Sequence, residues 1–183
     1  MEISKMMFDN KFLFFCIAIF GNVIPFNLIS YSEIFVDSIV ASTLIGTMPM
    51  FTFLISFFLT KNKGLNTLSL LGIIFGFLGM IVFIDSPNPF NQALEIKFHA
   101  LIVLSSIFYA LSANLVKKVK NYSPLSVATF SSILATILSL PILFYNLINS
   151  ENYLSNILEN LTYKSLISAT ILGILCTGLA ILV

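Results

Sequence analysis

FHALIVLSSIFYALSANLV, Phe98 to Val116, runs without a lysine or an acid and is then closed by Lys117-Lys118-Val119-Lys120. At about 1.5 Å of rise per residue such a run makes a helix about 28 Å long, close to the hydrocarbon thickness of a bilayer, about 30 Å. Lipid offers no water to backbone N–H and C=O groups, so a crossing segment must satisfy its own, as a helix does. A spanning strand would need only about ten residues and would alternate polar with apolar. A lysine at the bilayer centre costs about 2.5 to 3.5 kcal/mol, which explains why the cations stand at the end of the run and not within it.

Five further stretches read the same way. Segment A runs from about Phe12 to Tyr31, segment B from Ser38 to Thr60 and segment C from Leu65 to Ile84. The quoted run is segment D. Segment E runs from Pro124 to Ile148 and segment F from Ser165 to Val183. Asp85-Ser86-Pro87-Asn88-Pro89 breaks the chain after C, and Pro124 suits the first turn of E. The expected fold class is an all-α polytopic membrane bundle with six transmembrane helices. Between E and F, Leu154, Ile157, Leu158 and Leu161 recur at helical spacing. They predict a short helix lying on the outer interface.

Charge placement gives a direction. Lys5, Lys11, Lys61, Lys63, Lys117, Lys118 and Lys120 fall in the N-terminal segment and in every second loop. The alternate loops carry Glu33, Asp37, Asp85, Glu95, Glu151 and Glu159, with only Lys97 and Lys164. The positive-inside rule then puts the N-terminus and the B–C and D–E loops in the cytoplasm. The expected location is the cell inner (plasma) membrane, multi-pass. Isoleucine, phenylalanine, asparagine and lysine usage without arginine points to an AT-rich bacterial genome.

Composition excludes other classes. Hydrophobic residues make up 58% of the chain and charged residues 9%, where a soluble domain carries about a quarter charged residues. A net charge of +1 gives no reason to expect a nucleic-acid partner, and the lysines are too sparse for a polybasic lipid patch. Cys16 and Cys176 lie inside apolar runs and read as small buried hydrophobes. His99, the lone histidine, reads as an interface residue at the start of D. The chain has no GxSxG, HExxH or P-loop pattern and no embedded carboxylate to relay protons. Neither an enzyme nor a catalytic or metal site is expected, and no cofactor is implied.

Small and polar residues mark the helix faces. Segment B carries Ser42, Gly46, Pro49, Phe53 and Ser56, and segment C carries Gly72, Gly76 and Gly79. Gly46, Gly72, Gly76 and Gly79 are expected to let helices pack closely, Gly72 and Gly76 as a GxxxG pair. Segment E carries Ser126, Thr129, Ser132, Thr136 and Ser139, read as a packing stripe. Asn22, Asn27, Tyr109 and Asn114 need partners in hydrocarbon. They either pair across helices or line a pathway filled by water or substrate. Pro25 and Pro49 each free a carbonyl in mid-helix and can kink it.

Ser42-Thr43-Leu44-Ile45-Gly46-Thr47-Met48-Pro49-Met50-Phe51-Thr52-Phe53-Leu54 resembles the fourth helix of the EamA-type transporters of the drug/metabolite transporter superfamily. Leu70 to Met80, with its Gly-x-x-x-Gly-x-x-Gly run, is similar to the helix that follows, and segment D through Tyr122-Ser123-Pro124 to the first helix of the second repeat. The family usually has a Gly-Glu pair after the fourth helix. Here the loop reads Lys61-Asn62-Lys63-Gly64, so that glutamate's role is not carried over.

The resemblance implies ten helices in two inverted five-helix repeats, with segments A to F as helices three to eight. Residues 1–88 would then be the last three helices of the first repeat, and 89–183 the first three of the second. Ile19 to Val23 sets against Ile171 to Leu175 as helices three and eight should, and the chain is expected to be a fragment. The implied function is transport of small organic solutes by alternating access. Its pathway would lie near Asn22, Asn27, Thr47, Pro49, Tyr109 and Asn114. The amides and Tyr109 would hydrogen-bond substrate, and Pro49 would flex its helix. The partners are the lipid bilayer and a small-molecule substrate. A homodimer, or the missing helices of the same transporter, could complete the bundle. The other reading is a non-transporting membrane scaffold or a truncated, inactive remnant.

Overall fold

The structure, a computed structural model, describes residues 10–60, 67–84, 93–149, 158–159 and 161–173. The expected breaker at Asp85–Pro89, the Lys61–Gly64 loop, Leu154 and Ile157 of the interface helix, and Cys176 lie outside them.

Among the described residues every regular element is helical. Helix α1 (Lys11–Ala18) passes through a π turn (Ile19–Val23) into α2 (Ile24–Ser32). Helices α3 (Ser38–Ile45) and α4 (Met48–Thr60) follow, then α5 (Thr67–Ile84) and α6 (Ala93–Val116). A 3-10 turn (Lys117–Val119) leads to α7 (Pro124–Asn149), and α8 (Tyr163–Ile171) lies beyond. Among the described residues four stretches are long and apolar enough to cross a membrane: Lys11–Ser32, Ser38–Phe58, Ile96–Val119 and Pro124–Asn149. Helix α5 adds a shorter apolar run, Leu71–Met80. The chain is a polytopic helical membrane protein.

The expected segments A and B are each interrupted near the middle, and proline is the reason. Pro25 has no N–H to give, and its ring would strike the carbonyl four residues back. The helix widens just ahead of it, and the Ile24 N–H reaches back five residues to the Ile19 carbonyl. Pro49 acts likewise on the second span. Helix α3 stops, Gly46 and Thr47 form a turn, and α4 starts afresh with proline in its first turn. Segment D also begins earlier than its apolar run. Helix α6 starts at Ala93, so Glu95 and Lys97 are helical. Hydropathy marks where lipid begins, which need not be where a helix begins.

Helix α6 is the centre. It packs against α2, α3, α4, α1 and the π turn, while α7 packs on the far side of α1 and the π turn. Lipid tails are as apolar as leucine, so helices associate here through close packing and hydrogen bonds. Ser105, Ser106, Ala110 and Ser112 are accordingly buried on α6. A Cβ built on Gly21 would lie 2.5 Å from the Ser112 Oγ, which shows how near the first span comes. Phe58, Phe75, Val82, Ile137 and Ile148 stay exposed, as suits side chains facing lipid.

Two apolar clusters tie the ends. Phe14, Ile17, Val119 and Val127 form one, with Tyr122 and Phe130 edge-on to Phe14. This contact draws the Lys11 end of the first span to the turn bearing Lys117, Lys118 and Lys120. Val36, Ala41, Leu44, Phe98 and Ile102 form the other, where Phe35 stacks on Phe98 at 4.1 Å. There Glu33 and Asp37 meet the start of α6. The bundle thus has a lysine end and an acidic end.

The glycines expected to pack divide. Gly76 lies against the Met50 side chain, so α5 does approach α4 there. Gly46 sits in the turn beside the Thr43 carbonyl, a role in the break and not in helix–helix contact. Gly72 and Gly79 have open space where a Cβ would project. Within the described residues the expected GxxxG contact is not made. Helix α5 meets α4 at Gly76–Met50 and Phe77–Phe51 and packs Met80 on the cluster around Leu44, and Gly72 and Gly79 take no part in those contacts.

Candidate functional site

Among the described residues, two grooves take in sequence-predicted site residues. The first lies between the first span and α7 and encloses about 570 Å³. Asn22, Val23, Phe26 and Asn27 line one wall. Ser132, Thr136, Ser139, Leu143 and Asn146 line the other, at spacings of four, three, four and three residues that keep one face of an α-helix. The π turn sets Asn22 at the first wall, in the widened step that Pro25 forces. The Asn27 amide donates to the Val23 carbonyl at 2.7 Å. Thr136 donates to the Ser132 carbonyl and Ser139 to the Ala135 carbonyl, both at 2.9 Å. Each hydroxyl oxygen still has acceptor capacity. Tyr109 stands one ring behind this wall, edge-on to Phe26 at 6.4 Å.

Thr47 is placed elsewhere. It is buried, and its hydroxyl donates to the Leu44 carbonyl at 2.6 Å. The same carbonyl accepts the Thr47 N–H at 3.1 Å and the Ser106 hydroxyl from α6 at 3.2 Å. The polar groups freed by the helix break are therefore met locally and from the central helix, as burial demands.

Asn114 is also buried and fully engaged. Its amide N–H groups go to the Thr52 carbonyl at 3.0 Å and the Ala110 carbonyl at 2.9 Å, and its oxygen accepts from the Lys117 ammonium at 3.1 Å. It pins α4 to α6. Replacing Asn114 with alanine is expected to cost about 1 to 2 kcal/mol, the upper range for interhelical side-chain bonds in membranes. Unfolding in graded SDS measures it, and a variant as stable as the parent contradicts the pin. Pro49, with Met48, Thr52, Phe53, Ser56, Ala113 and Lys117, lines the second groove, about 470 Å³, on that α4–α6 face.

The structure thus brings Asn22 and Asn27 together, with Tyr109 one contact behind them. It does not bring Thr47, Pro49 or Asn114 to the same place. The hydroxyls of α7 read as packing in the sequence, yet Ser132, Thr136 and Ser139 face the groove. Asn146 was missed altogether. Its seven-residue step from Ser139 was the signal that could have found it.

Residues 3–84 match the EamA-like transporter family. That stretch, a little under half of the chain, is similar to the family. The match points to a membrane, transporter-like protein of drug/metabolite transporter type. The family is one of transporters and not of enzymes. No curated protein and no solved structure matches the chain.

Proposed function

We propose that this EamA-type chain moves small organic solutes across the inner (plasma) membrane by alternating access, with its N-terminus and lysine end in the cytoplasm. The observation that carries the reading is the first groove. Amides and hydroxyls gather there at mid-span, where each would cost free energy without a partner in hydrocarbon. A polar solute passing through supplies such partners. Phe14, Tyr122 and Phe130 join the first span to α7 at the lysine end, and the groove lies beyond that contact. This shape suits a carrier closed on the cytoplasmic side.

Asn22, Asn27, Ser132, Thr136, Ser139 and Asn146 would hydrogen-bond the solute, and Phe26, backed by Tyr109, would give it an apolar face. The interrupted first span, at the π turn, supplies flexure. Broken helices near the midplane are the usual building blocks of solute sites in carriers. The α7 wall and the first span would rock against each other about the groove.

The test is uptake and efflux in liposomes by the purified full-length gene product. Saturable movement of at least one amino acid, nucleoside or organic cation is expected. Failure with all three classes, in protein shown to be folded, sinks the carrier reading and favours a non-transporting scaffold.

A further inference from the structure

The second groove has a different character. Met48, Pro49, Phe53 and Ala113 give it an apolar floor, and Lys117 stands at its end. The Lys117 ammonium donates to the Asn114 carbonyl oxygen at 3.1 Å and to the Ser56 hydroxyl at 3.4 Å. Asn114 is itself held by the Thr52 and Ala110 carbonyls. A buried, fixed amide thus aims an exposed cation along an apolar trough. Both oxygens that receive the ammonium are uncharged, so its charge is not neutralised by them. Lys117 also marks the end of the span Ile96–Val119, at the level where hydrocarbon gives way to headgroups.

We propose that this trough holds one anionic phospholipid of the leaflet at the lysine end, its phosphate on Lys117 and one acyl chain along Phe53, Pro49 and Met48. Charge and shape agree on this occupant. From Ser56 to Met48 the trough follows α4 for about 12 Å at about 1.5 Å per residue, room for the upper part of an acyl chain. A free anion would use the cation but leave the apolar floor uncovered. A zwitterionic lipid would cover the floor but bring its own cation to Lys117. Lys118 and Lys120 stand at the same end without lining the trough. They attract the anionic leaflet generally, and Lys117 fixes the position.

The experiment is native mass spectrometry of the full chain in mild detergent, after incubation with phosphatidylglycerol or phosphatidylcholine. One retained phosphatidylglycerol is expected, favoured about fivefold over phosphatidylcholine, the effect of one lysine beside an anionic lipid. Lys117→Gln is expected to abolish the preference and Lys117→Arg to keep it. Lys120→Gln, which removes a charge from the same end, is expected to leave it within about twofold of the parent. Equal retention of the two lipids by the parent overturns the proposal, whatever the variants do. So does a loss in Lys120→Gln as large as in Lys117→Gln, because only bulk charge would then be at work. Displacement of the lipid by glycerol phosphate alone would make the site one for free phosphate esters. Chain–chain adducts in place of lipid adducts would make the trough an interface between copies.

Discussion

Asn22→Leu combined with Asn146→Leu is expected to slow solute uptake about a hundredfold while the bundle stays folded. The two amides stand on opposite walls of the groove between the first span and α7. Each lost hydrogen bond to a desolvated solute costs about 1 to 1.5 kcal/mol, roughly tenfold in affinity or rate. Leucine keeps a similar volume and removes all hydrogen-bonding capacity. Neither asparagine makes a bond across helices among those resolved between α6 and its neighbours, so SDS stability should change little. Uptake in liposomes and SDS unfolding, measured on the same preparation, separate the two effects. Undiminished uptake would remove the groove from the pathway. Equal loss of uptake and stability would make the amides structural.

The second large effect belongs to Gly21. Its Cβ, once added, would meet the Ser112 Oγ at 2.5 Å and the Ser112 Cβ at 3.2 Å. Ser112 also donates to the Ile17 carbonyl at 3.3 Å, so it cannot turn away freely. Gly21→Ala is expected to destabilise the bundle by about 1 to 3 kcal/mol, the range for overpacking a close contact. Ser112→Gly in the same chain removes the opposing atoms and should restore part of the loss. The Ile17 bond stays lost, so recovery is incomplete. A single Gly21→Ala variant as stable as the parent would show that the first span does not come so close to α6. Gly72→Ala, with open space around it, is the control and is expected to be neutral within about 0.5 kcal/mol.

Much of this architecture can be read without coordinates, and the reason is solvent. Lipid forces each crossing segment to be long, apolar and helical, so the runs at Phe12, Ser38, Phe98 and Pro124 announce themselves. The Lys117-Lys118-Val119-Lys120 exit fixes the end of α6 equally well. What hydropathy does not reveal is how a helix behaves inside its apolar run. Pro25 and Pro49 signal trouble, yet the same residue type at Pro141 leaves α7 unbroken. The difference lies in neighbours. Gly21, ahead of Pro25, allows close approach to α6, and Gly46, ahead of Pro49, sits in the turn where α3 stops, while Pro141 is exposed.

The site was legible only in part. Asn22 and Asn27 stood out because an amide is costly in hydrocarbon. The same rule pointed to Asn114, whose cost is met by carbonyls of α4 and α6, a partner choice no single sequence discloses. The hydroxyl stripe of segment E ran from Ser126 through Thr129, Ser132 and Thr136 to Ser139, at steps of three, three, four and three residues. The two opening steps of three slip about 60° each around an α-helix, so Ser126 lies about 120° round from Ser132. Ser126 instead accepts from the Ser123 hydroxyl at the start of α7, and the true face continues from Ser132 through Ser139 to Asn146.

The second span is fastened to the central helix on both sides of its interruption. Ser106 grips the Leu44 carbonyl just before it, and Asn114 grips the Thr52 carbonyl just after. A joint buckled down at either flank does not swing alone. Residues 38–58 and the central rod should therefore travel as one block through a transport cycle, and the displacement must be taken up where the α7 wall leans away from the first span.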